Sequence, residues 1–405
     1  MTRLEVWLYG TRVGTLAGNS WRDFDFTPAP EAFARFGVLS TVLSEAIPLT
    51  VRPARSQAAR RRNFFAELLP EGLTRIRLAG QAGVETSDTL GMLRRYGRDV
   101  AGALEIFDPD DPWEPPTPEL RPLSDTQVRQ LADNFPAAPL GNDPLQGRLS
   151  LGGVQLKLAL VKQNGRWWQP LGGYPSTHIL KQSPDRYPTM IFDEEYGCRL
   201  AAQFGLLDYG VQIELFDGRP MLVIERYDRC TDSSGMTTRL HQEDMNQALG
   251  ASGDQKYQQN GGVVTLRRIA RVVAQYGSDE LNHLLRLVVF AAAIGNLDLH
   301  AKNISLLHLP DGTARLAPAY DNVPLLHQST DGELALAVNR VYRLSALKLA
   351  DLAAEAQAWE MPGQAPKIDA WLAQIAALAD ATDPLPGAAP GLAATIKENI
   401  ARLRG

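Results

Sequence analysis

Residues 4–9, Leu-Glu-Val-Trp-Leu-Tyr, alternate apolar and polar, Gly10-Thr11 offers a turn, and Val13 to Leu16 resumes the pattern, so the chain opens on a predicted β-hairpin. Asn63 to Leu69 changes to helical spacing, Pro70 ends it, and Ala103 to Phe107 reads as a further strand. Residues 108–118 are acidic and proline-rich, a composition that holds no packed element, and a domain boundary is expected there. From residue 150 to 228 short strand-like runs dominate: Leu158 to Val161, Trp167-Trp168, His178 to Lys181, Val211 to Phe216 and Pro220 to Glu225. One helix interrupts them, Phe192 to Phe204, with Tyr196, Leu200 and Phe204 on one face and Gly205 as its stop. Beyond Arg229 helical periodicity takes over, at 243–249, 265–275, 279–295, 345–359, 366–380 and 391–403, with one hairpin signal at Pro310-Asp311-Gly312.

A small β-rich lobe followed by a larger helical one is the layout of kinases. The expected organisation is a module at 1–107, a Pro/Asp-rich linker at 108–122, a β-rich ATP-binding lobe with a phosphate loop at 123–228, and a helical catalytic lobe at 229–405. A chain of 405 residues is long for one core. With 44% hydrophobic residues it is too apolar to stay disordered, and a net charge of −5 gives no bulk pull toward nucleic acid. Two cysteines, Cys198 and Cys230, make no disulfide framework, and both are expected as buried free thiols. The start carries no apolar signal region, and the most apolar stretch, Leu284 to Ile294, is broken by Arg286, so a cytoplasmic enzyme is expected and no membrane contact.

The chemistry concentrates in Asn296-Leu297-Asp298-Leu299-His300-Ala301-Lys302-Asn303. Asp298 and Asn303 have the spacing of Asp and Asn in a kinase catalytic loop, where the aspartate takes the substrate hydroxyl's proton and the asparagine holds magnesium. Further on, Tyr320-Asp321-Asn322 follows a strand, the place of a second metal-binding aspartate. Magnesium asks for few, hard oxygen ligands, and one amide and one carboxylate supply them. Lys181 closes a strand, where a kinase keeps its phosphate-pairing lysine, and Glu195 on the following helix is its expected partner, with Asp193 and Glu194 assigned to a solvated first turn. Ser150-Leu151-Gly152-Gly153-Val154-Gln155-Leu156-Lys157 lies where a phosphate-cradling loop belongs. Its paired glycines admit backbone amides close to phosphate, although it matches neither common phosphate-loop pattern.

In order along the chain, these segments resemble the HipA family of bacterial serine/threonine kinase toxins. The resemblance includes the opening hairpin, Asn63-Phe64-Phe65 with Leu68-Leu69-Pro70, and Gly97-Arg98-Asp99 with Gly102-Ala103. It continues through Ser150 to Lys157, Thr177 to Lys181, Glu195-Tyr196, Glu225-Arg226-Tyr227-Asp228-Arg229 and Gln242-Glu243-Asp244-Met245, and ends in His300 to Asn303 and Tyr320-Asp321. It implies an α+β, bilobal fold like protein and phosphoinositide kinases, with a β-rich small lobe, an all-helical large lobe and an N-terminal α/β HipA-type module. It also implies ATP and Mg2+ as cofactors, Asp298 as base, Asn303 and Asp321 as metal ligands, and Lys181 on the phosphates. Gly152, Gly153, Val154, Gln155, Lys157, Ile179, Glu225, Tyr227, Gln242, His300, Lys302 and Tyr320 are then nucleotide contacts, and Ser150 an inactivating autophosphorylation site. The implied protein substrate is an aminoacyl-tRNA synthetase such as the glutamyl enzyme, whose phosphorylation arrests growth. The implied partner is a helix-turn-helix antitoxin like HipB, through which operator DNA is reached.

Two other readings share parts of this pattern. A small-molecule kinase shares the aspartate–asparagine loop but has no use for the 1–107 module or Ser150. A catalytically weak co-repressor predicts a broken Asp298, Asn303 or Asp321, and none is broken. The arginines Arg52, Arg55, Arg60, Arg61 and Arg62 read either as a solvated helix start or as contacts to nucleic-acid phosphates. His283 and His308 have no companions at metal-ligand spacing in sequence and read as ordinary core or surface residues.

Overall fold

A computed structural model describes residues 2–20, 23–111, 117–135, 137–143, 145–153, 155–233 and 235–405. They form two compact units: residues 1–182, 214–243 and 307–314 in one, and residues 183–213, 244–306 and 315–405 in the other. Among the described residues no helix is long and apolar enough to cross a membrane.

Two larger sheets organise the first unit. The opening hairpin forms from Thr2–Leu8 and Thr11–Gly18, and Asp25–Pro28 and Leu104–Phe107 extend it into a four-stranded antiparallel sheet. The alternation seen in sequence puts Leu4, Val6 and Leu8 inward without exposure. The helix Ala58–Ala66 presents Phe64 and Phe65 to the same core, and Phe65 packs 5.3 Å from the ring of Phe26. Leu149 and Leu151, on either side of Ser150, belong to that core too.

The second sheet has six strands in the order Glu119–Leu123, Arg166–Leu171, Lys157–Gln163, His178–Lys181, Arg219–Glu225 and Val211–Phe216. Its first strand starts inside the stretch read as linker, of which residues 112–116 lie outside the described residues. Pro122 is tolerated there because the strand is an edge and needs no inward N–H. The helix Asp125–Asp133, started by a Ser124/Gln127 capping box, covers this sheet with Val128 and Ala132 against Leu158, Leu160, Leu180 and Val223.

The second unit is built around the helix Ser278–Ile294, which buries eleven side chains between Leu281 and Ile294. Full burial of one leucine or valine stabilises by about 1.5–3 kcal/mol, so this helix is the anchor of its unit. Gly295 ends it in the left-handed conformation, φ 72°, and a Cβ there would lie 2.2 Å from Leu326. Glycine is thus required both by the turn and by the packing, and the next residue is Asn296.

The helices Met190–Gln203, Leu266–Val273, Leu349–Ala358, Ala365–Ala381 and Leu392–Arg404 complete this core. The resemblance implies an all-helical part beyond residue 229, and the structure corrects this. That part also holds short strands, among them Glu333–Val338 paired with Val341–Arg343, whose continuous apolar run has no period to mark it as a strand. Cys198 is buried as expected, but Cys230 is exposed, on the short strand Arg229–Thr231.

Candidate active site

In the second unit the loop after Gly295 is held by a closed set of hydrogen bonds. The Asn296 side chain accepts the Asp298 backbone N–H at 3.0 Å and donates to the Asp321 carbonyl at 3.0 Å. The Asn303 amide donates to the Asp298 carbonyl at 2.9 Å, and His300 N–H donates to the same oxygen at 2.7 Å. Asp298, Asn303 and Asp321 therefore share one frame, with Asn296 as the bracket between the loop and the second aspartate.

Asp321 sits at φ 51°, a left-handed conformation that aspartate tolerates better than most residues. Its turn passes close to the helix Met190–Gln203, where a Cβ at Gly197 would come 1.9 Å from the Asn322 carbonyl. Tyr320 donates its hydroxyl to the Lys302 carbonyl at 2.7 Å and meets Ser305 Oγ at 2.5 Å, tying the 320s to the end of the loop.

The side chain of Asp298 is 52% exposed, yet it stands among protein groups that desolvate it and raise its pKa. His300 and Lys256 pull the other way, Asp321 adds to the rise, and a hydrogen bond from Tyr257 favours the carboxylate. His300, buried with its Nε2 4.0 Å from Asp298, is depressed by burial against the pull of Asp298. Its Nδ1 is buried and has no hydrogen-bond partner among the described residues.

The donor set fits a magnesium ion. Because the Asn303 amide nitrogen is committed to the Asp298 carbonyl, its oxygen is the end left to face a hard cation, and Asp321 adds a carboxylate. Lys302, 9% exposed, has its ammonium 3.8 Å from Asp244.

In the first unit Lys181 ends its strand in register with Lys157 on one side and Leu222 on the other, and is 5% exposed. Ile179 lies two residues earlier, between Ala159 and Ile224. The Lys157 ammonium donates to the Gly152 carbonyl at 2.6 Å and closes the glycine loop, with Gly153 at φ 98°. Val154 lies outside the described residues, and Gln155 follows it in the same loop.

Ser150 is fully buried: its hydroxyl donates to the Leu68 carbonyl at 3.1 Å and its N–H to the Asp99 carbonyl at 2.9 Å. Glu225 is exposed at the end of its strand opposite His178, and the Tyr227 hydroxyl donates to the Gln242 side chain.

Asp99 is the hub of this unit. Its carboxylate takes Arg229 at 2.8 Å, the Ser176 hydroxyl at 2.7 Å and the Ser176 N–H at 3.0 Å, with Arg239 at 3.6 Å and Arg226 at 3.9 Å. Burial pushes its pKa up, but the three guanidiniums and Ser176 outweigh this and hold it below the usual carboxylate range. Asp228, paired with Arg226 at 2.8 Å, also accepts the Gly102 N–H at 2.8 Å.

Several expectations need correction. Glu195 pairs with Arg199 one helical turn on, at 2.7 Å. Asp193 and Glu194 are not solvated but buried, and Asp193 accepts the Thr189 hydroxyl at 2.7 Å and the Ala389 N–H at 2.8 Å. Arg61 leaves the candidate basic patch, since it forms a two-pronged pair with Asp25 at 2.6 and 2.8 Å. His308 has companions after all: ligand atoms of Glu45, Glu243 and His308 lie within 4.8 Å of one another. His308 Nε2 lies 2.8 Å from Glu243 Oε1 and the Glu45 N–H donates to the same oxygen at 2.8 Å, which makes this a buried hydrogen-bonded pair stitched to backbone. Sequence reasoning also missed Asn296 as a bracket, and Lys256 and Tyr257 altogether.

A β-rich unit and a helical unit carrying this loop define a kinase-like fold. The chain belongs to the HipA family: the HipA N-terminal domain matches residues 4–107 and the HipA-like C-terminal domain residues 149–382. Y4mE, a protein of Sinorhizobium fredii that carries a kinase name, is 36% identical over 327 residues, 78% of this chain and 76% of its own. The serine/threonine-protein kinase toxin HipA of Shewanella oneidensis is 29% identical over 326 residues, 77% of this chain and 73% of its own. The solved complex of Shewanella oneidensis HipA, HipB and operator DNA matches with a TM-score of 0.80 at 26% identity, over 99% of this chain and 95% of that one.

Proposed function

We propose that this protein transfers the terminal phosphoryl group of ATP to a serine or threonine hydroxyl of another protein. The observation that carries the reading is the frame in which Asn296 and Asn303 hold Asp298 and Asp321 together. In the reaction the bond between the γ-phosphorus and its bridging oxygen breaks, ADP leaves, and a new bond forms from the substrate oxygen to phosphorus. Asp298 takes the hydroxyl proton, a task its raised pKa favours, because a base that holds protons more tightly accepts one more readily. Asn303 and Asp321 hold Mg2+, which neutralises charge on the phosphates. Lys181, the loop from Gly152 to Lys157, His300 and Lys302 contact phosphates. Glu225, Tyr227, Gln242, Ile179 and Tyr320 surround the base and sugar.

Likeness to the Shewanella oneidensis complex supports a HipB-like antitoxin as partner, with operator DNA reached through it. An aminoacyl-tRNA synthetase such as the glutamyl enzyme is the substrate class we assign, with growth arrest as the consequence. Self-phosphorylation at Ser150 turns the enzyme off.

Intact-mass measurement after incubation with magnesium and ATP tests the reading, beside Asp298→Gln and Ser150→Ala. One added phosphate in the wild type and none in either variant is expected. Protein first shown to be phosphate-free that gains none would overturn self-phosphorylation. If it also phosphorylates no synthetase, the kinase reading goes with it.

A further inference from the structure

Lys256 and Tyr257 have no role in the scheme above, yet they are mounted on the same frame. The turn Gly253–Lys256 is closed by a Ser252/Gln255 capping box, with the Ser252 N–H on Gln255 Oε1 at 3.0 Å. Immediately after it, Gln258 donates its N–H to the Ala335 carbonyl at 3.0 Å and accepts the Ala337 N–H on its side chain at 3.1 Å. Ala335 in turn donates its N–H to the carbonyl of Leu297, the residue before Asp298, at 2.9 Å. The turn, the strand Glu333–Val338 and the loop are therefore joined by a continuous chain of hydrogen bonds.

Lys256 is 4% exposed. An ammonium so far from water needs negative charge beside it, and Asp298 is near enough to feel its field. Its Nζ lies 5.4 Å from the centre of the Tyr257 ring, and that ring meets His300 edge-on at 5.3 Å. His300 in turn has its Nε2 4.0 Å from Asp298, which places the Tyr257 hydroxyl to hydrogen-bond the Asp298 carboxylate. Asp298 and Asp321 alone would repel a polyphosphate, and a fixed cation here offsets one of the two negative charges that a terminal phosphoryl group meets. A hydrogen bond to one oxygen of Asp298 stops the carboxylate rotating and leaves its other oxygen for a substrate hydroxyl.

We propose that Lys256 contacts the terminal phosphoryl oxygens of the nucleotide, and that Tyr257 is the positioning residue that sets the Asp298 carboxylate. This rests on the phosphotransfer reading, and the two can fail separately.

The test uses the full chain. Calorimetric titration with Mg·AMP-PNP and Mg·ADP compares the wild type with Lys256→Met and Lys256→Gln, one apolar and one polar replacement in case either fails to fold. The wild type is expected to prefer AMP-PNP by about tenfold, and both variants to lose that preference, as removal of a charge-assisted contact predicts. An intact preference in a folded variant, or equal loss of both ligands, overturns the Lys256 assignment. Tyr257→Phe keeps the ring against His300, and is expected to lower kcat about tenfold while KM for ATP stays within about twofold. An unchanged kcat, or a fall in melting temperature that accounts for it, overturns the Tyr257 assignment. If the wild type transfers no phosphate, the kinase reading and the Tyr257 role fall together, while the two titrations still decide Lys256.

Discussion

The Asn303 side-chain amide donates to the backbone carbonyl of Asp298 at 2.9 Å, so the two residues cannot move independently. This one bond fixes which end of the amide points away from the loop. Asn303→Ala removes both the clamp and the outward oxygen. Phosphotransfer should fall about a hundredfold, the order seen when one electrostatic stabiliser is lost, and the magnesium concentration giving half-maximal rate should rise. Initial rates across a magnesium titration read both. Rates equal to wild type at every concentration would leave Asn303 as a loop clamp and nothing more.

Asp99 offers a test of stability instead of rate. It is 1% exposed and faces Arg229, Arg226 and Arg239. Asp99→Ala leaves those cations short of a partner, at a cost of about 3–5 kcal/mol. Denaturant unfolding should show that loss. The Ser150 N–H rests on the Asp99 carbonyl, which alanine keeps, so hydrogen exchange at Ser150 reports whether the loop loosens with the ion cluster. A loss under about 1 kcal/mol would mean the cluster is not a support.

Two histidines of the first unit set a pH limit. Burial depresses His241 to about 3, with His308 adding to the effect, and depresses His178 to about 4. In the unfolded chain each binds its proton near pH 6.5, while in the folded chain each stays neutral until far lower. Below about pH 6.5 the unfolded state therefore holds more protons, and stability falls as pH falls, approaching about 1.4 kcal/mol per pH unit for each histidine. The melting temperature should drop steadily from pH 7 to pH 4.5, and His241→Gln should flatten the slope. A melting temperature constant over that range contradicts the burial argument.

The parts of this protein that could be read from sequence are those whose cause is local. The alternation at 4–8 and the apolar helix ending at Gly295 announce themselves because period and cap lie within a few residues. Asp298 and Asn303 fall in one frame because their bond spans a single turn. Asn296 lies in the same loop, but its bracketing role depends on Asp321, twenty-five positions on. Position on the helix after Lys181 marks Glu195 as that lysine's partner, but Arg199, one turn away, takes it. A first helical turn is usually solvated, which is the expectation for Asp193 and Glu194, yet the N–H of Ala389, far along the chain, is donated to Asp193. The Ser252-x-x-Gln255 pattern could have marked a turn, but nothing local says that the lysine closing it is buried.

Ser150 carries the last prediction. Its hydroxyl is donated to the Leu68 carbonyl and its neighbours Leu149 and Leu151 are locked into an apolar core, so the side chain has no exposure. A phosphoryl group on that oxygen removes the donated proton and brings a charge of about −2 into a site where, among the described residues, no cation is hydrogen-bonded to it. Burying such an anion costs several kcal/mol, more than one hydrogen bond returns, so the segment should leave. Arg148, 9% exposed in the packed loop, then becomes open to trypsin. Phosphorylated protein, and more weakly Ser150→Asp, should be cut after Arg148 at least about tenfold faster than unmodified protein, as an opening cost above 1.4 kcal/mol implies. Ser150→Ala, which loses only the hydrogen bond, should be cut at close to the wild-type rate. Equal cutting of the phosphorylated and unmodified forms would show that the loop stays packed, and that any inactivation by phosphate works without its release.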